Sequence, residues 1–136
     1  SAFSRGLSLS VGGGRYVLVS GTAAIDDAGR SLHAGDFERQ TRRTLDTVGT
    51  LLRAGGSSWE DVAQATAFIK HEADVPAFMR LLRERGLGRL PIVCTIADVC
   101  REELLVELDA TAIVAAPVDS SSVREPVEPT VVYDQE

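Results

Sequence analysis

Apolar residues recur at every second position along residues 103–115, the last segment of the chain with a regular hydrophobic pattern. Side chains alternate between the two faces of a β-strand, so this period predicts a strand. One face carries only apolar side chains, namely Leu104, Val106, Leu108, Ala110 and Ala112. The other face carries Leu105, Glu107, Asp109, Thr111 and Ile113. We expect the first face to be buried, whereas the second places two carboxylates on an otherwise apolar strand.

Shorter segments predict four more strands. Residues 7–11 and 15–19 flank three consecutive glycines at 12–14, which predicts a hairpin with a glycine turn. A phosphate-binding loop is the alternative for these glycines, but such a loop runs into a helix and here a strand follows. Residues 63–70 and 92–97 are the other two predicted strands.

Two segments have apolar residues at the spacing of an amphipathic helix. Asp36 is an N-cap candidate at the start of the first segment, and Gly55 and Gly56 end it. Asp74 begins the second helix, which breaks at Gly86. The elements therefore follow the order β-β-α-β-α-β-β, and the predicted fold class is α+β.

Composition indicates one globular domain without a basic surface. The chain has 136 residues, 44% of them apolar, which suffices for a buried core. Its net charge of −6 argues against a nucleic-acid partner, because phosphate binding depends on clustered Lys and Arg. Residues 1–116 are predicted to form the domain, and residues 117–136 an acidic, mobile tail. Within the tail, the apolar residues 131–133 are interpreted as a free segment rather than an added sheet edge.

No metal, organic cofactor or membrane contact is expected. Cys94 and Cys100 lie six positions apart without a nearby His, which is not a zinc-site spacing, and buried thiols are the favoured interpretation. Asp26 and Asp27 are interpreted as turn residues rather than metal ligands. Lys70, the only lysine, is interpreted as a solvated charge rather than a Schiff-base former. Without a leader segment or a membrane-spanning run, the chain is expected in the cytoplasm.

Four short motifs, taken in order, resemble one family of small-molecule enzymes. They are FSRG at residues 3–6, LVSGT at 18–22, DVCR at 98–101 and LLVE at 104–107. Together they resemble the RidA (YjgF/YER057c/UK114) superfamily, and most closely the active half of the chorismatases. Some relatives carry an endoribonuclease label, which is given little weight because the chain has neither a paired-His site nor a basic groove.

The resemblance implies both a fold and an assembly. In the RidA fold, one sheet carries two helices on one face, and three subunits pack around a barrel-like centre with clefts between neighbours. A homotrimer is therefore expected, with a small-molecule substrate in each cleft. Glu107 would be partly removed from water in such a cleft. That burial raises the pKa of a carboxyl group, which suits an acid that holds a proton near neutral pH.

Carried over position by position, the resemblance also marks site residues. Glu107 matches the catalytic-site glutamate, and the other matched positions are Phe3, Ser20, Gly21, Thr22 and Cys94. Counting back from Glu107 through Cys94, Ile92 stands where 2-imino acid deaminases have the arginine that binds the substrate carboxylate. Isoleucine cannot form the paired charged hydrogen bonds that arginine offers. Arg101 and Arg5 are the candidates to replace it, with surface ion pairs as the alternative for both and Arg101 favoured because it lies in a matching motif.

The related enzymes share one chemical step. Deaminases of the superfamily act on enamines and imines, and chorismatases act on an enol ether. Protonation of the electron-rich carbon gives an iminium or oxocarbenium centre in each case. We therefore expect a cofactor-free enzyme in which Glu107 donates this proton or orients the attacking water, while Ser20 and Thr22 position substrate oxygens. The alternatives are a deaminase with an altered carboxylate clamp, an enzyme of specialised metabolism acting on a larger intermediate, and a non-catalytic binding or assembly protein.

Overall fold

A hairpin at the N-terminus begins a six-stranded sheet in the computed structural model of the protein, which describes residues 5–115 and the backbone of residues 128–132. The strands are β1 (Gly6–Val11), β2 (Gly14–Thr22), β3 (Val62–Ile69), β4 (Ile92–Ile96), β5 (Val106–Ala115) and β6 (Glu128–Val132), and the helices are α1 (Phe37–Ala54) and α2 (Val75–Glu84). The order across the sheet is β4-β3-β5-β2-β1-β6. Only the β3–β4 pair is parallel among these neighbours. The predicted α+β order is confirmed, with β6 added at the end.

Both helices pack against the same face of the sheet. The sheet residues of the buried core alternate on one face of β2, β3 and β5: Val17, Val19, Ala65, Ala67, Ile69, Val106, Leu108, Ala110 and Ala112. They meet the apolar stripes of the helices, formed by Phe37, Leu45, Val48, Leu51, Leu52, Phe78 and Leu82. The predicted buried face of β5 is therefore confirmed. Neither helix covers the opposite face, which we call the open face and which carries Glu107 and Asp109.

The first helix begins and ends at its predicted capping residues. The Asp36 carboxylate accepts a hydrogen bond from the Arg39 backbone amide at 3.1 Å, which satisfies a free amide of the first turn. Gly55 caps the other end, and Gly56 follows with φ +87°, a left-handed conformation that favours glycine. Within the described ranges, neither this helix nor α2 is long and apolar enough to cross a membrane.

The two cysteines are less buried than predicted. Cys94 on β4 is partly buried, and Cys100 is exposed in the loop between β4 and β5. Because β4 is an edge strand, Cys94 has a neighbouring strand on one side only. Burial raises the pKa of the Cys94 thiol. The interpretation of both residues as buried thiols is therefore wrong for Cys100.

Residues 128–132 form an edge strand that the sequence pattern did not reveal. β6 runs antiparallel to β1, and its register pairs Gly6 with Val132 and Ser10 with Glu128. The prediction of a free segment is therefore wrong for residues 131 and 132, which pair with β1. The edge of β1 has backbone groups that need partners, and a segment rich in β-branched residues can supply them. Residue 133 and the remainder of the predicted tail, at 116–127 and 134–136, lie outside the described residues.

Candidate active site

A β-bulge in β2 places Ser20 and Gly21 opposite a single residue of β5. Val19 pairs with Ala110 and Thr22 pairs with Leu108, so two residues of β2 span the length of one, Asp109. A bulge of this kind bends the strand and redirects its side chains, and bulges are common beside active sites. Here it brings Ser20 and Gly21 against the N-terminal part of β5, which carries Glu107 and Asp109.

Gly21 touches the carboxylate of Glu107 directly. A Cβ atom built on Gly21 would lie 2.9 Å from Cδ of Glu107 and closer still to its Oε1. Real Cβ atoms do not approach other atoms so closely, so a side chain at position 21 would have to displace Glu107. The need for glycine here comes from this close approach, since Gly21 is not among the residues with positive φ.

The surroundings of Glu107 favour its protonated form. Phe68 on β3 is its cross-strand partner on the open face, and Thr95 on β4 is the next residue in the same row. Burial raises the pKa of the Glu107 carboxyl above its ordinary value, and the nearby negative charge of Asp109 raises it further. In residues 5–115 no hydrogen bond or ion pair reaches this carboxylate, so no donor stabilises its charged form.

A cavity of about 400 Å³ lies beside Gly21, and we call it the arginine cavity. Small or apolar residues form much of its wall: Gly21, Thr22, Ala23, Ile25, Ala28 and Gly29. Its charged lining residues are Arg5, Arg101, Asp26 and Asp27. Glu107 does not line this cavity, but its carboxylate lies against Gly21, which does.

Arg101 reaches the arginine cavity from the loop between β4 and β5. Its Nη1 donates to the Gly29 carbonyl at 2.6 Å and to the Ser31 hydroxyl at 3.2 Å. The Ser31 hydroxyl in turn donates to the Glu103 carboxylate at 2.8 Å. These bonds hold the guanidinium through one nitrogen, while its Nη2 and Nε have no partner in the described part of the chain. Guanidinium groups bind carboxylates through paired N–H donors, and two nitrogens of Arg101 remain for such a contact.

The hydroxyl groups of Ser20 and Thr22 bind the backbone of the site. The Ser20 hydroxyl and the Ser20 amide both donate to the Arg5 carbonyl at 2.9 Å. The Thr22 hydroxyl, which is buried, donates to the Ser20 carbonyl at 2.9 Å. Both hydroxyl hydrogens are therefore committed. In this structure the two residues hold Arg5 and the bulge in place. Neither hydroxyl group has a free hydrogen left for the expected hydrogen bond to a substrate oxygen.

The acids of the arginine cavity differ in their roles. Asp26 accepts from the backbone amides of Arg30 and Ala28 at 2.9 and 3.0 Å and from the Arg30 side chain at 3.1 Å. Hydrogen bonding to Arg30 lowers the pKa of Asp26 below its ordinary value. Asp26 is thus a turn residue, as the sequence indicates. Asp27 is exposed and offsets part of the positive charge of Arg5 and Arg101.

Ile92 and Cys94 lie on the other side of the sheet from Glu107. The register of the parallel pair sets Ile92 beside Ala65 and Cys94 beside Ala67, and both alanines face the helices. Ile92 and Cys94 also pack against the buried core. The structure therefore does not bring these two predicted site residues together with Glu107. A count along the chain from Glu107 crosses the unpaired residues 97–105, and such a loop does not preserve strand parity.

The β4 residues that share the open face with Glu107 are Val93 and Thr95. Val93 lies beside Thr66, and Thr95 lies beside Phe68, the partner of Glu107. Neither is an arginine, and no arginine occurs anywhere in β4. A carboxylate clamp on this strand is therefore absent whichever face is considered, and the guanidinium groups near the site come from Arg5 and Arg101.

Gln40 on α1 is a positioning residue; it belongs to a segment, Gly35-Asp36 with Gln40-Thr41, that also resembles the active half of the chorismatases, but the sequence does not assign it this role. It is fully buried, and its Nε2 donates to the carbonyls of His33 at 3.1 Å and Glu103 at 2.9 Å. Its Oε1 accepts from the Leu105 amide at 2.8 Å. Gln40 thus ties the loop that carries Arg101 to the helix, and it explains why β5 begins at Val106 rather than near residue 103. A polar residue inside a helical apolar stripe is the sequence signal that could have identified it.

Other predicted features lie apart from this site. Phe3 lies outside the described residues, so its place in the cleft stays a prediction. Lys70 donates from Nζ to the Glu102 carbonyl at 2.7 Å. As far as the structure describes the chain, no group of three or more His, Cys, Asp or Glu residues is placed to hold a metal ion.

Comparison with known proteins identifies the family. A family model described as endoribonuclease L-PSP matches residues 2–114. The chain belongs to this family. The fold of the family is also found in a solved member of the YjgF/YER057c/UK114 family from Mycobacterium tuberculosis, which is 23% identical with a TM-score of 0.64 over 82% of this chain and 86% of that one. The predicted resemblance to the RidA superfamily is confirmed.

Two relatives of this chain are named for different activities. The chain is 30% identical to a 3-hydroxybenzoate synthase from Streptomyces hygroscopicus over 72% of its length, but it spans only 31% of that longer protein. It is also 30% identical to the 3-aminoacrylate deaminase RutC from Acinetobacter baylyi, over 71% of this chain and 77% of RutC. A solved chorismatase matches 79% of the chain with a TM-score of 0.71, although the chain covers 35% of it. At 24% identity, this last likeness concerns the fold alone.

Proposed function

We propose that this chain is a cofactor-free enzyme that protonates and then hydrolyses or rearranges a small unsaturated carboxylic acid, either an enol ether or an enamine or imine. The observation that carries the proposal is the position of Glu107. Its carboxyl has a raised pKa, lies against Gly21, and is therefore next to a cavity that Arg5 and Arg101 line. An acid that keeps its proton beside an anion-binding pocket suits proton transfer to a bound carboxylate substrate.

The proposed reaction begins with the proton of Glu107. With an enol ether or an enamine, the proton forms a new C–H bond at the electron-rich carbon, and the electrons of the carbon–carbon double bond make that bond. With an imine, the nitrogen lone pair accepts the proton and forms an N–H bond. The adjacent carbon becomes part of an iminium or oxocarbenium ion. Water attacks this ion and gives up a proton to the Glu107 carboxylate, which restores the acid. Loss of the amine or alcohol then completes hydrolysis, whereas attack by a group of the substrate itself would give a rearrangement.

The arginine cavity supplies the orientation that this step needs. Arg101 is held through Nη1 and offers Nε and Nη2 to a substrate carboxylate, which can bind side-on through two charged hydrogen bonds. The walls of Ala23, Ile25 and Ala28 suit the carbon skeleton of the substrate. The relatives support this substrate class, because 3-aminoacrylate is an enamine acid and chorismate is an enol-ether acid.

A homotrimer is part of the proposal because the open face of the sheet, which neither helix covers, exposes large apolar side chains beside its polar ones. Tyr16, Val93 and Ile113 are 39%, 59% and 44% exposed on this face, and Tyr16 and Ile113 are cross-strand partners. Large apolar side chains exposed next to each other favour protein–protein contact. Packing of three copies through the open face would shelter Glu107 further from water. A cytoplasmic location, in keeping with reduced cysteines, stays a prediction.

Replacement of Glu107 by Gln tests the catalytic role. Glutamine keeps the size of the side chain but cannot donate the proton, so turnover should fall about 100-fold or more. Two kinds of substrate would be assayed, with detection of the products of each. The first is the imines derived from 2-aminoacrylate, and the second is chorismate. Glu102→Gln is the matched control, because Glu102 is exposed in the adjacent loop.

Each outcome of this assay separates the candidates. Turnover of chorismate that depends on Glu107 favours the chorismatase-like activity, and turnover of the imines favours the deaminase activity that the RutC likeness supports. Equal turnover by wild type and Glu107→Gln would refute the role of Glu107. Tight binding without turnover of either substrate would favour a non-catalytic binding protein.

A further inference from the structure

A second hollow adjoins the arginine cavity on the open face of the sheet. Its volume is about 350 Å³, and it lies over the bulge between β2 and β5. Gly21 lines both the hollow and the arginine cavity. The polar side chains around it come from Ser20, Gln64, Asp109 and Thr111. We call it the aspartate hollow, because Asp109 is its one charged lining residue among those described.

The aspartate hollow is richer in acceptors than in donors. One oxygen of Asp109 accepts from the Thr66 backbone amide at 3.0 Å, and the other has no partner from the described chain. The Gln64 amide nitrogen donates to the Thr66 hydroxyl at 2.9 Å, which leaves the amide oxygen available. Ser20 has already committed its hydroxyl hydrogen to the Arg5 carbonyl. Apart from the Thr111 hydroxyl, which can donate or accept, the side chains of this hollow offer acceptor oxygens, so they favour a ligand group that donates hydrogen bonds, and the charge of Asp109 favours a cation.

The two compartments have opposite preferences. Arg5 and Arg101 favour an anion in the arginine cavity, and Asp109 favours a donor or a cation in the aspartate hollow. Glu107 touches Gly21, the residue that the compartments share. A molecule that reaches into both would cross this point, so its middle would lie next to the proton of Glu107.

We propose that the site binds a two-ended substrate, with its carboxylate in the arginine cavity and an ammonium or hydroxyl group in the aspartate hollow. This inference rests on the proposed function and narrows its substrate class. It distinguishes a substrate with a remote donor group from a simple unsaturated acid. The remote group also fixes which carbon faces Glu107, because both ends of the substrate are held.

Binding of inert aromatic acids tests this inference without turnover. Calorimetry on the full chain would compare 4-(aminomethyl)benzoate with 4-methylbenzoate, which has the same acid and ring but no donor, and the 3-substituted isomers would cover a second span. Wild type should bind the aminomethyl acid about tenfold more tightly than the methyl acid. Asp109→Asn should reduce this preference to about twofold or less. Its amide oxygen can still accept from Thr66, so the strand pairing is retained.

Two further variants separate this inference from the proposed function. Glu107→Gln should keep the preference for the aminomethyl acid, because Glu107 does not line the hollow. Arg101→Met should weaken both acids together. Equal affinity of wild type for the two acids, a preference that survives in Asp109→Asn, or no binding of either acid would each overturn the two-ended site. Full turnover by Glu107→Gln, together with an unchanged preference of this variant for the aminomethyl acid, would refute only the catalytic role of Glu107 and leave the two-ended site intact.

Discussion

The contact between Gly21 and Glu107 determines where the proposed acid lies. Gly21→Ala would insert a methyl group that meets the Glu107 carboxylate, so the carboxylate must move away from the arginine cavity. A displacement of about 1 Å in a reacting group typically costs about 100-fold in rate, and we expect a loss of that size in kcat/KM. Steady-state kinetics on the substrate identified by the assay above would measure it.

Gly13→Ala is the matched control for this variant. Gly13 lies in the β1–β2 turn and has no positive φ, and no atom lies within 4 Å of the place that an added methyl group would take. The control should keep both activity and thermal stability. Unchanged kcat/KM in Gly21→Ala would contradict the close contact, whereas equal losses in both variants would indicate a general effect of alanine in β2 or its turn.

At the residue scale, the sequence predicts the face on which a side chain of β5 lies better than it predicts the contacts of the predicted site residues. The alternation of β5 places Glu107 on the face away from the helices, and the structure agrees. Ser20 and Thr22 are predicted to position substrate oxygens, but in the structure their hydroxyl groups donate to the backbone carbonyls of Arg5 and Ser20. A bulge of one extra residue has no signature in the pattern of β2, so the contact of Gly21 with Glu107 was not predictable either.

At the scale of elements, local signals were reliable and pairing register was not. Asp36 and Gly55 delimit α1 because capping depends on residues close in sequence. The face on which Cys94 lies depends instead on the register between β4 and β3. These two strands are separated in sequence by α2. A shift of one residue in pairing moves every side chain to the opposite face, so a count along the chain could not place Ile92 or Cys94. β6 was missed because pairing with β1 is also a long-range contact.

The loop that carries Arg101 shows how one element supports another. Gln40 binds the backbone of two loops, at His33 in the loop between β2 and α1 and at Glu103 and Leu105 in the loop that carries Arg101. Arg101 is then held by Gly29 and Ser31, which belong to the loop after β2. The arginine cavity is therefore built where three segments distant in sequence meet, namely the residue before β1, the end of β2 with the loop that follows it, and the loop between β4 and β5.

At the scale of the whole molecule, the open face leads to a prediction about assembly. Light scattering on the purified chain should give a mass of about three times 14.5 kDa. Ile113→Glu should reduce the mass to that of one copy, because it places a charge on an exposed apolar position of β5 that the helices do not need. Asp46→Asn, an exposed position on α1, is the control and should remain assembled. A wild-type mass of 14.5 kDa would contradict the trimer.

The central claim is that Glu107 holds a proton where an ordinary glutamate has lost it. Carbon-detected NMR titration of the side-chain carboxyl, assigned by comparison with Glu107→Gln, measures this directly. The pKa of Glu107 should lie above that of an ordinary glutamate, because burial disfavours the charge, and it should fall in Asp109→Asn, which removes the neighbouring negative charge. Since the protonated form is the active one, the activity of Asp109→Asn should decline at a lower pH than that of wild type. A pKa of Glu107 at or below that of an ordinary glutamate, unchanged in Asp109→Asn, would contradict the account.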